Sequence, residues 1–397
     1  MLIEFSVTNF KAFKDTQTLK LSLDRATKGL MENIHKKSSL LKSAFIYGPN
    51  ASGKSTLIEA LRLMRFFIIE SARTQRGDEI NWAVPFRLNS ETLEQPTVFE
   101  ATFILQSGIK YEYGFAATKT RVMEEWLLEY RSQRPTHLFK RSYNPRKKET
   151  KWDFKGGLRP GDIHKRTLEN TLFLSKAAQE NHEYLAPVFD WFRQNLVVQS
   201  AQRDNDSIIR NCMEGDFNEK KKKILHFLQD ADVGITDLQI LKTHEQLGRL
   251  QSVHIMQNTS RPVEFDFLND ESDGTISMLA LASYLIDAST HSHVFVIDEL
   301  DKSLHPLLIR ELLLAFHKFT KNSQLIFTTH NIQHMDEELF RKDQIWFMEK
   351  NRPSESSSLF RLSDLKGIRK EHAFERRYLH GAYGALPILG KFDLGSK

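Results

Sequence analysis

The sequence predicts an α/β fold, a parallel sheet joined by crossover helices with an antiparallel β-subdomain beside it, on three observations. A glycine-rich loop, Gly48 to Ser55, separates a short apolar run from a segment of helical periodicity. The last third of the chain alternates strand-like and helix-like stretches, a pattern that calls for parallel pairing with crossovers. Residues 82–152 alternate apolar and polar side chains in short pieces broken by Gly108 and Asn144-Pro145, as antiparallel strands do.

In chain order, Leu2 to Val7 and Thr16 to Leu23 alternate as half-buried strands around a turn-like link, Asn9-Phe10-Lys11-Ala12-Phe13-Lys14. Ala44 to Tyr47 reads as a strand. Thr56 to Glu70 reads as a helix, because Leu57, Leu61, Met64 and Ile68 share one face. Leu168 to Leu228 is mostly helical in pattern and includes the basic run Lys220 to Lys223. At roughly 60 residues this stretch would reach only about 45 Å as an antiparallel hairpin. Strand-like segments return between Ile235 and Phe267. Thr275 to Ala288 then reads as a helix, Val294 to Ile297 as a buried strand, Pro306 to Phe319 as a helix and Leu325 to Thr328 as a strand. Asn351 to Ser358 reads as a turn-rich loop. The expected organisation is an N-terminal lobe over residues 1–155, a helical insertion over 156–235 and a C-terminal α/β lobe over 236–397.

Composition narrows the classes of function. The 397 residues, 28 of them Phe, supply ample core for a globular protein of one elaborate domain or two lobes. Lys and Arg (56) exceed Asp and Glu (51) by a net charge of +5, which permits nucleic-acid binding without arguing for it. The single cysteine, Cys212, excludes an internal disulfide framework and fits a reducing, cytoplasmic compartment. No uncharged apolar run approaches the roughly 18 residues a membrane-spanning helix needs. The opening MLIEFSVTNF carries Glu4 and reads as a strand, not as a secretory signal.

Two motifs carry chemistry. Gly48-Pro49-Asn50-Ala51-Ser52-Gly53-Lys54-Ser55, followed by Thr56, matches G-x-x-x-x-G-K-[ST]. The glycines let backbone N–H groups wrap phosphates, Lys54 reaches the terminal phosphates, and Ser55 is a magnesium ligand. The loop enters a helix, so an anion would sit at a helix N-terminus. This reads as a nucleotide site, with ATP and Mg²⁺ the expected ligands. The apolar Val294-Phe295-Val296-Ile297 ends in Asp298-Glu299, 244 residues after Lys54. Asp298 fits the strand-end aspartate that holds Mg²⁺ in P-loop enzymes. Glu299 would then orient and deprotonate the attacking water.

Three further segments carry a resemblance. Ser272-Asp273-Gly274-Thr275, 26 residues before Asp298, resembles the signature motif of ABC-type ATPases in the S-x-G-T form of RecF/SMC-like proteins. Leu300-Asp301-Lys302-Ser303-Leu304-His305-Pro306 resembles their D-loop, and His330, in Phe327-Thr328-Thr329-His330-Asn331, their switch histidine. More specifically, LIEFSVTNFKAFKD, GPNASGKST, Val84-Pro85-Phe86-Arg87-Leu88 and Gly381-Ala382-Tyr383-Gly384-Ala385-Leu386-Pro387 resemble the bacterial AAA15-type ABC ATPases of abortive-infection and restriction-linked loci. The resemblance implies an ABC-type P-loop ATPase head, working as a homodimer or higher homo-oligomer with ATP sandwiched between heads. Ser272 and the Gly274 and Thr275 N–H groups would meet the γ-phosphate in trans, with His330 in cis and Asp301 in the D-loop. Lys11 stands where relatives place a nucleotide-touching loop; for Phe10 and Phe13 a core role is equally open. The resemblance also implies a separately encoded TOPRIM-type nuclease effector, with a phage protein as the trigger. Asp273 departs from the usual glycine and puts an acid near the partner's γ-phosphate. No Q-loop glutamine is assigned: Gln75 follows the P-loop helix closely, and Trp82 to Arg87 is the other candidate region.

Weaker signals keep their ordinary explanations. Lys220 to Lys223, Arg369-Lys370 and Arg376-Arg377 are either phosphate contacts or solvated faces. His291 and His293 lack the acid or Cys neighbours of a metal site, and Cys212 lacks the setting of a catalytic thiol. Glu124 and Glu125 read as the start of a helix or strand with no chemistry assigned. Two functions follow: a regulatory ATPase of an anti-phage module, or a RecF/SMC-like ATPase acting on DNA. A transporter ATPase would need membrane partners, and the large antiparallel and helical insertion and the S-x-G-T signature point away from it.

Overall fold

The computed structural model describes residues 1–199, 217–231, 233–241, 249–368 and 373–387. Cys212 and Arg369-Lys370 lie outside the described residues. The architecture is mixed α/β, as the sequence predicts, and its centre is a six-stranded sheet. In spatial order its strands are Leu196–Gln199, Val294–Ile297, Gln324–Thr328, Ser43–Tyr47, Ile345–Asn351 and Ser356–Arg361. All neighbours pair in parallel except the last two, which form a hairpin. The sheet therefore draws on all three segments into which the sequence divides.

A seven-stranded antiparallel sheet stands beside it. Its order is Glu149–Phe154, Thr136–Asn144, Val122–Tyr130, Lys110–Ala117, Thr97–Ile104, Leu2–Thr8 and Gln17–Lys20. The P-loop helix, Lys54–Glu70, lies between the two sheets. It buries Leu57, Leu61, Met64 and Ile68 in one core with Phe99, Phe103 and Phe115 of the antiparallel sheet. Ala44, Ile46, Val294 and Val296 of the parallel sheet close that core from the other side. The alternate residues Phe45, Tyr47, Phe295 and Phe327 face a second core against Ile309, Leu313 and Phe316 of the helix Pro306–Phe319. Period-two alternation thus splits each parallel strand between two cores.

A third, smaller core belongs to a subdomain of its own. Helix Phe217–Asp230 and the antiparallel strands Asp237–Leu241, Arg249–Ile255 and Pro262–Asp266 pack on the helix Asp273–Thr290 through Ile224, Leu228, Leu238, Leu250, Ile276 and Leu279.

Four expectations need correction. Within the stretch from Leu168 to Leu228, whose residues 200–216 lie outside the described ones, the helical reading missed the strand Leu196–Gln199, which stands between the helical segments Phe173–Gln179, Ala186–Asp190 and Trp191–Asn195 and the helix Phe217–Asp230. The second strand covers Gln17–Lys20 and not Thr16 to Leu23. The loop expected at Asn351 to Ser358 is a hairpin turn, because Ser356 and Ser357 are buried in the returning strand. Glu124 and Glu125 lie within a strand, not at the start of an element. Among the described residues no helix is long and apolar enough to cross a membrane.

Candidate functional site

The parallel register carries the ends of four strands to one edge of the sheet. Thr328 pairs with Ile46, Ile297 with Phe327, and Gln199 with Ile297. Gly48, Asp298, Thr329 and the end of the Leu196–Gln199 strand consequently share the carboxyl-terminal edge, where open α/β sheets bind ligands.

Backbone geometry shapes the P-loop. Gly53 caps the helix Lys54–Glu70 with φ 103°, and a Cβ there would stand 2.8 Å from Ser357 Oγ and 3.3 Å from the Phe13 ring. A Cβ on Gly48 would fall 2.2 Å from the Met348 carbonyl oxygen. No side chain fits at either position. Phe10 and Phe13 are fully buried, which settles them as core. Asn9 fixes their turn: its Oδ1 accepts from Phe86 N–H at 2.9 Å and its Nδ2 donates to the Thr92 carbonyl at 2.9 Å. Lys11 pairs with Glu59 of the P-loop helix at 2.6 Å. Gln75 belongs to the loop after that helix, its N–H donating to Asp78 at 2.7 Å. Trp82 packs on Phe67 and Phe99.

Charged groups converge on the loop. Lys54 is buried, and its Nζ donates to the Gly48 and Pro49 carbonyls at 2.7 and 3.0 Å. Burial lowers its pKa to about 8, against the opposing pull of Asp298 and Glu299. Ser52 is buried with its Oγ unpartnered among the described residues, while Asn50, Ala51 and Ser55 are exposed at the loop surface. Asp298 is buried, and Thr328 Oγ1 donates to its Oδ1 at 2.5 Å. The same hydroxyl accepts from the Glu299 N–H at 2.8 Å. Glu299 adopts φ 53°, a left-handed conformation uncommon for a residue with a side chain and found at functional turns. His330 Nε2 lies 3.8 Å from Glu299 Oε1. Burial and then Lys54 hold the His330 pKa below its ordinary value, against the three carboxylates Glu299, Asp301 and Asp298. Asp301 accepts from Thr329 Oγ1 at 2.8 Å.

The cradle fits a nucleotide triphosphate with a divalent cation. It has no room for side chains at its two tight glycines, one buried cation, an unpartnered buried hydroxyl, and a carboxylate fixed by Thr328. A cleft of about 1000 Å³ opens from Gly48, Pro49, Asn50 and His330 toward Arg352 and Pro387. The Gly381–Pro387 segment forms its far wall. Ala385 N–H donates to Glu349 Oε2 at 3.0 Å, and Gly384, at φ 73°, has Glu349 Oε2 where a Cβ would need to be.

The signature segment opens the helix Asp273–Thr290, which packs on both the small core and the core behind the parallel sheet. Ser272 caps the helix Asp273–Thr290, its Oγ accepting from Thr275 N–H at 3.1 Å. Gly274 abuts the Ser303 carbonyl, which leaves 3.0 Å to an added Cβ. Ser272 and Asp273 are exposed, and Thr275 is half-buried.

Two residues that the sequence reading did not single out sit among these groups. Thr328 ties Asp298 to Glu299. Gln199 closes the strand beside the acidic pair, its carbonyl accepting from Asp298 N–H at 3.1 Å. In the sequence, "NLVVQ" falls in a stretch read as helical, so nothing there signals the residue. The basic run is largely consumed by ion pairs: Lys220 with Asp287, Lys221 with Asp237 and Lys223 with Glu219. The His291 and His293 rings meet at a tilt, His293 also contacts the Phe295 ring, and no group of metal-ligating side chains occurs among the described residues.

The family model described as "AAA domain, putative AbiEii toxin, Type IV TA system" matches residues 43–336. No curated protein matches the chain. Among solved structures it is similar to the SMC head bound to the C-winged helix domain of ScpA, at 14% identity over 91% of this chain and 97% of that one, with TM-score 0.49. The SMC head domain from Thermotoga maritima aligns at 14% identity over 91% and 98%, with TM-score 0.41. A Smc head with an extended coiled coil, bound to the C-terminal domain of ScpA derived from Pyrococcus furiosus, aligns at 14% identity over 91% and 96%, with TM-score 0.46.

Proposed function

The chain belongs to this AAA-domain family, whose model spans residues 43–336, and from that premise we propose that it binds and hydrolyses ATP as the regulatory subunit of an anti-phage defence module. Two heads, or a larger ring of them, assemble around ATP, and the nucleotide state holds or releases a separately encoded nuclease effector in answer to a phage-derived trigger. The observation that carries the ATPase part is the convergence of Lys54, Asp298, Glu299 and His330 at one sheet edge, while Ser272 lies exposed at the start of the helix Asp273–Thr290.

Roles follow from placement. The backbone of Gly48 to Gly53 wraps the phosphates, with Ser55 and Thr56 at the helix N-terminus, and Lys54 neutralises their terminal charge. Ser55 and Asp298 would hold Mg²⁺, with Gln199 at the same edge, and the ion would supply positive charge against the phosphates. Glu299 orients the attacking water and accepts its proton, giving ADP and phosphate. His330, held neutral, donates a hydrogen bond from one ring nitrogen to the γ-phosphate. Ser272, Gly274 and Thr275 of a second head complete the site, with Asp301 and the neighbouring D-loop at the junction between heads. Lys11, engaged with Glu59, supports the P-loop helix beside this site.

The test pairs two variants. Glu299→Gln should bind ATP, lose turnover and accumulate as an ATP-dependent dimer in light scattering, while Lys54→Ala on its own should neither bind ATP nor form homodimers. Normal turnover by Glu299→Gln would remove it from the base role. Acceleration of hydrolysis by double-stranded DNA would favour the DNA-acting alternative, which the ion pairing of Lys220, Lys221 and Lys223 argues against.

A further inference from the structure

The signature loop is tied to its subdomain by a cluster that the ATPase chemistry leaves unused. Ser252 and His254 sit two residues apart on the strand Arg249–Ile255, so their side chains leave the same face. Both converge on one oxygen. Ser252 Oγ donates to Glu271 Oε1 at 2.5 Å, and His254 Nε2 lies 2.7 Å from the same atom. Ser252 is fully buried and the Glu271 side chain is only 11% exposed. The Phe265 ring meets His254 edge-on at 5.1 Å and limits its swing.

This is not a hydrolytic triad. In a triad the histidine takes the serine proton, whereas here serine and histidine both point at the carboxylate and Ser252 has no base. What distinguishes Glu271 is its place in the chain: the next residue is Ser272, the cap of the signature helix. The loop from 267 to 271 is anchored at its start by the buried Phe267 and by Asp266, whose carboxylate accepts from the Leu268 and Asn269 N–H groups, and Glu271 is the last anchored side chain before the exposed Ser272. A carboxylate held by two donors, one of them ionisable, makes a strong and directional anchor.

We propose that Ser252, His254 and Glu271 form a clamp that sets the orientation of Ser272, Gly274 and Thr275 for the nucleotide of a second head. They are positioning residues: they touch no phosphate and act through the signature. The inference rests on the composite site proposed above. Its consequence is a particular division of labour, in which a broken clamp harms the partner's site and spares the chain's own P-loop.

Mixing separates the two. Glu271→Ala should keep ATP affinity within about twofold and lower turnover at saturating ATP by roughly tenfold or more, as misplacement of a transition-state contact does. Glu271→Gln keeps an acceptor oxygen and should retain most activity. His254→Ala against His254→Gln repeats the contrast at a side chain that is 30% exposed, without emptying a buried position. Lys54→Ala chains bind no ATP but carry an intact signature. Added to Glu271→Ala chains they should restore turnover above either variant alone, because one site in each mixed dimer is intact on both sides. Ser272→Arg mixed with Lys54→Ala is the reference. Recovery there but not with Glu271→Ala, or full turnover by Glu271→Ala alone, overturns the clamp. Recovery in neither mixture overturns the composite site, and the clamp with it.

Discussion

Thr328 shows how a site depends on residues that carry no chemistry themselves. Its hydroxyl donates to Asp298 and accepts from the Glu299 N–H, so a single oxygen sets both acids in place. The reason is topological: Gln324–Thr328 runs between the strand that ends at Ile297 and the P-loop strand. Nothing at the level of spacing reveals this, because the contact joins residues about thirty positions apart through sheet order. The candidate phosphate- and magnesium-binding residues could be singled out in the sequence, since their residue types are those that phosphate and magnesium chemistry would call for. Thr328→Val keeps the shape and removes the hydroxyl, leaving a buried carboxylate short of a partner. It should raise the Mg²⁺ concentration for half-maximal turnover by roughly ten- to a hundredfold, the usual cost of losing a partner that orients a ligand. Titration of turnover with Mg²⁺ measures this, and Thr328→Ser should restore the original value.

At the scale of elements, legibility followed the strength of the periodic pattern. Ser43–Tyr47 is buried on both faces and Lys54–Glu70 buries one clear stripe, so both stood out. Leu196–Gln199 did not: four residues emerging from a wide helical turn look like the end of a helix, and their partner strand lies about a hundred residues on. The turn at residues 352–355 was read too long because serine suggests loop, whereas Ser356 and Ser357 here are buried strand residues. The antiparallel sheet holds a comparable surprise in Glu125. Fully buried, it accepts from the Phe173 and Leu174 N–H groups at 2.7 and 3.0 Å and from Tyr113 Oη at 3.0 Å. Arg141, also buried, lies 3.6 Å away and donates to the Thr171 carbonyl at 2.6 Å. Together they fasten the start of the helix Phe173–Gln179 to the sheet. Desolvation raises the carboxyl pKa, while Arg141 and then the backbone donors oppose it. Removing one member strands the other charge, so Glu125→Ala should cost about 3–5 kcal/mol. Calorimetry on Glu125→Ala, Arg141→Ala and the double variant tests this. The double variant should lose less than the sum of the two, and simple additivity would mean that the pair is uncoupled.

Over the whole molecule, the chain does not divide into lobes in the order of its sequence. The parallel sheet takes strands from residues 43–47, 196–199 and beyond 294, so the P-loop and the acidic pair become neighbours only in the completed fold. Two cores lie on either face of that sheet, and a third, smaller core supports the start of the helix Asp273–Thr290 that Ser272 caps. A head built this way presents a furnished P-loop and an exposed signature, and the central claim is that each is half of a site shared between copies. Turnover per chain, measured over a wide range of protein concentration with Glu299→Gln as the blank, tests that claim most directly. The account predicts a rate per chain that climbs with concentration and then saturates as heads pair. A constant rate at every dilution, from protein that light scattering shows to be monomeric, would contradict it.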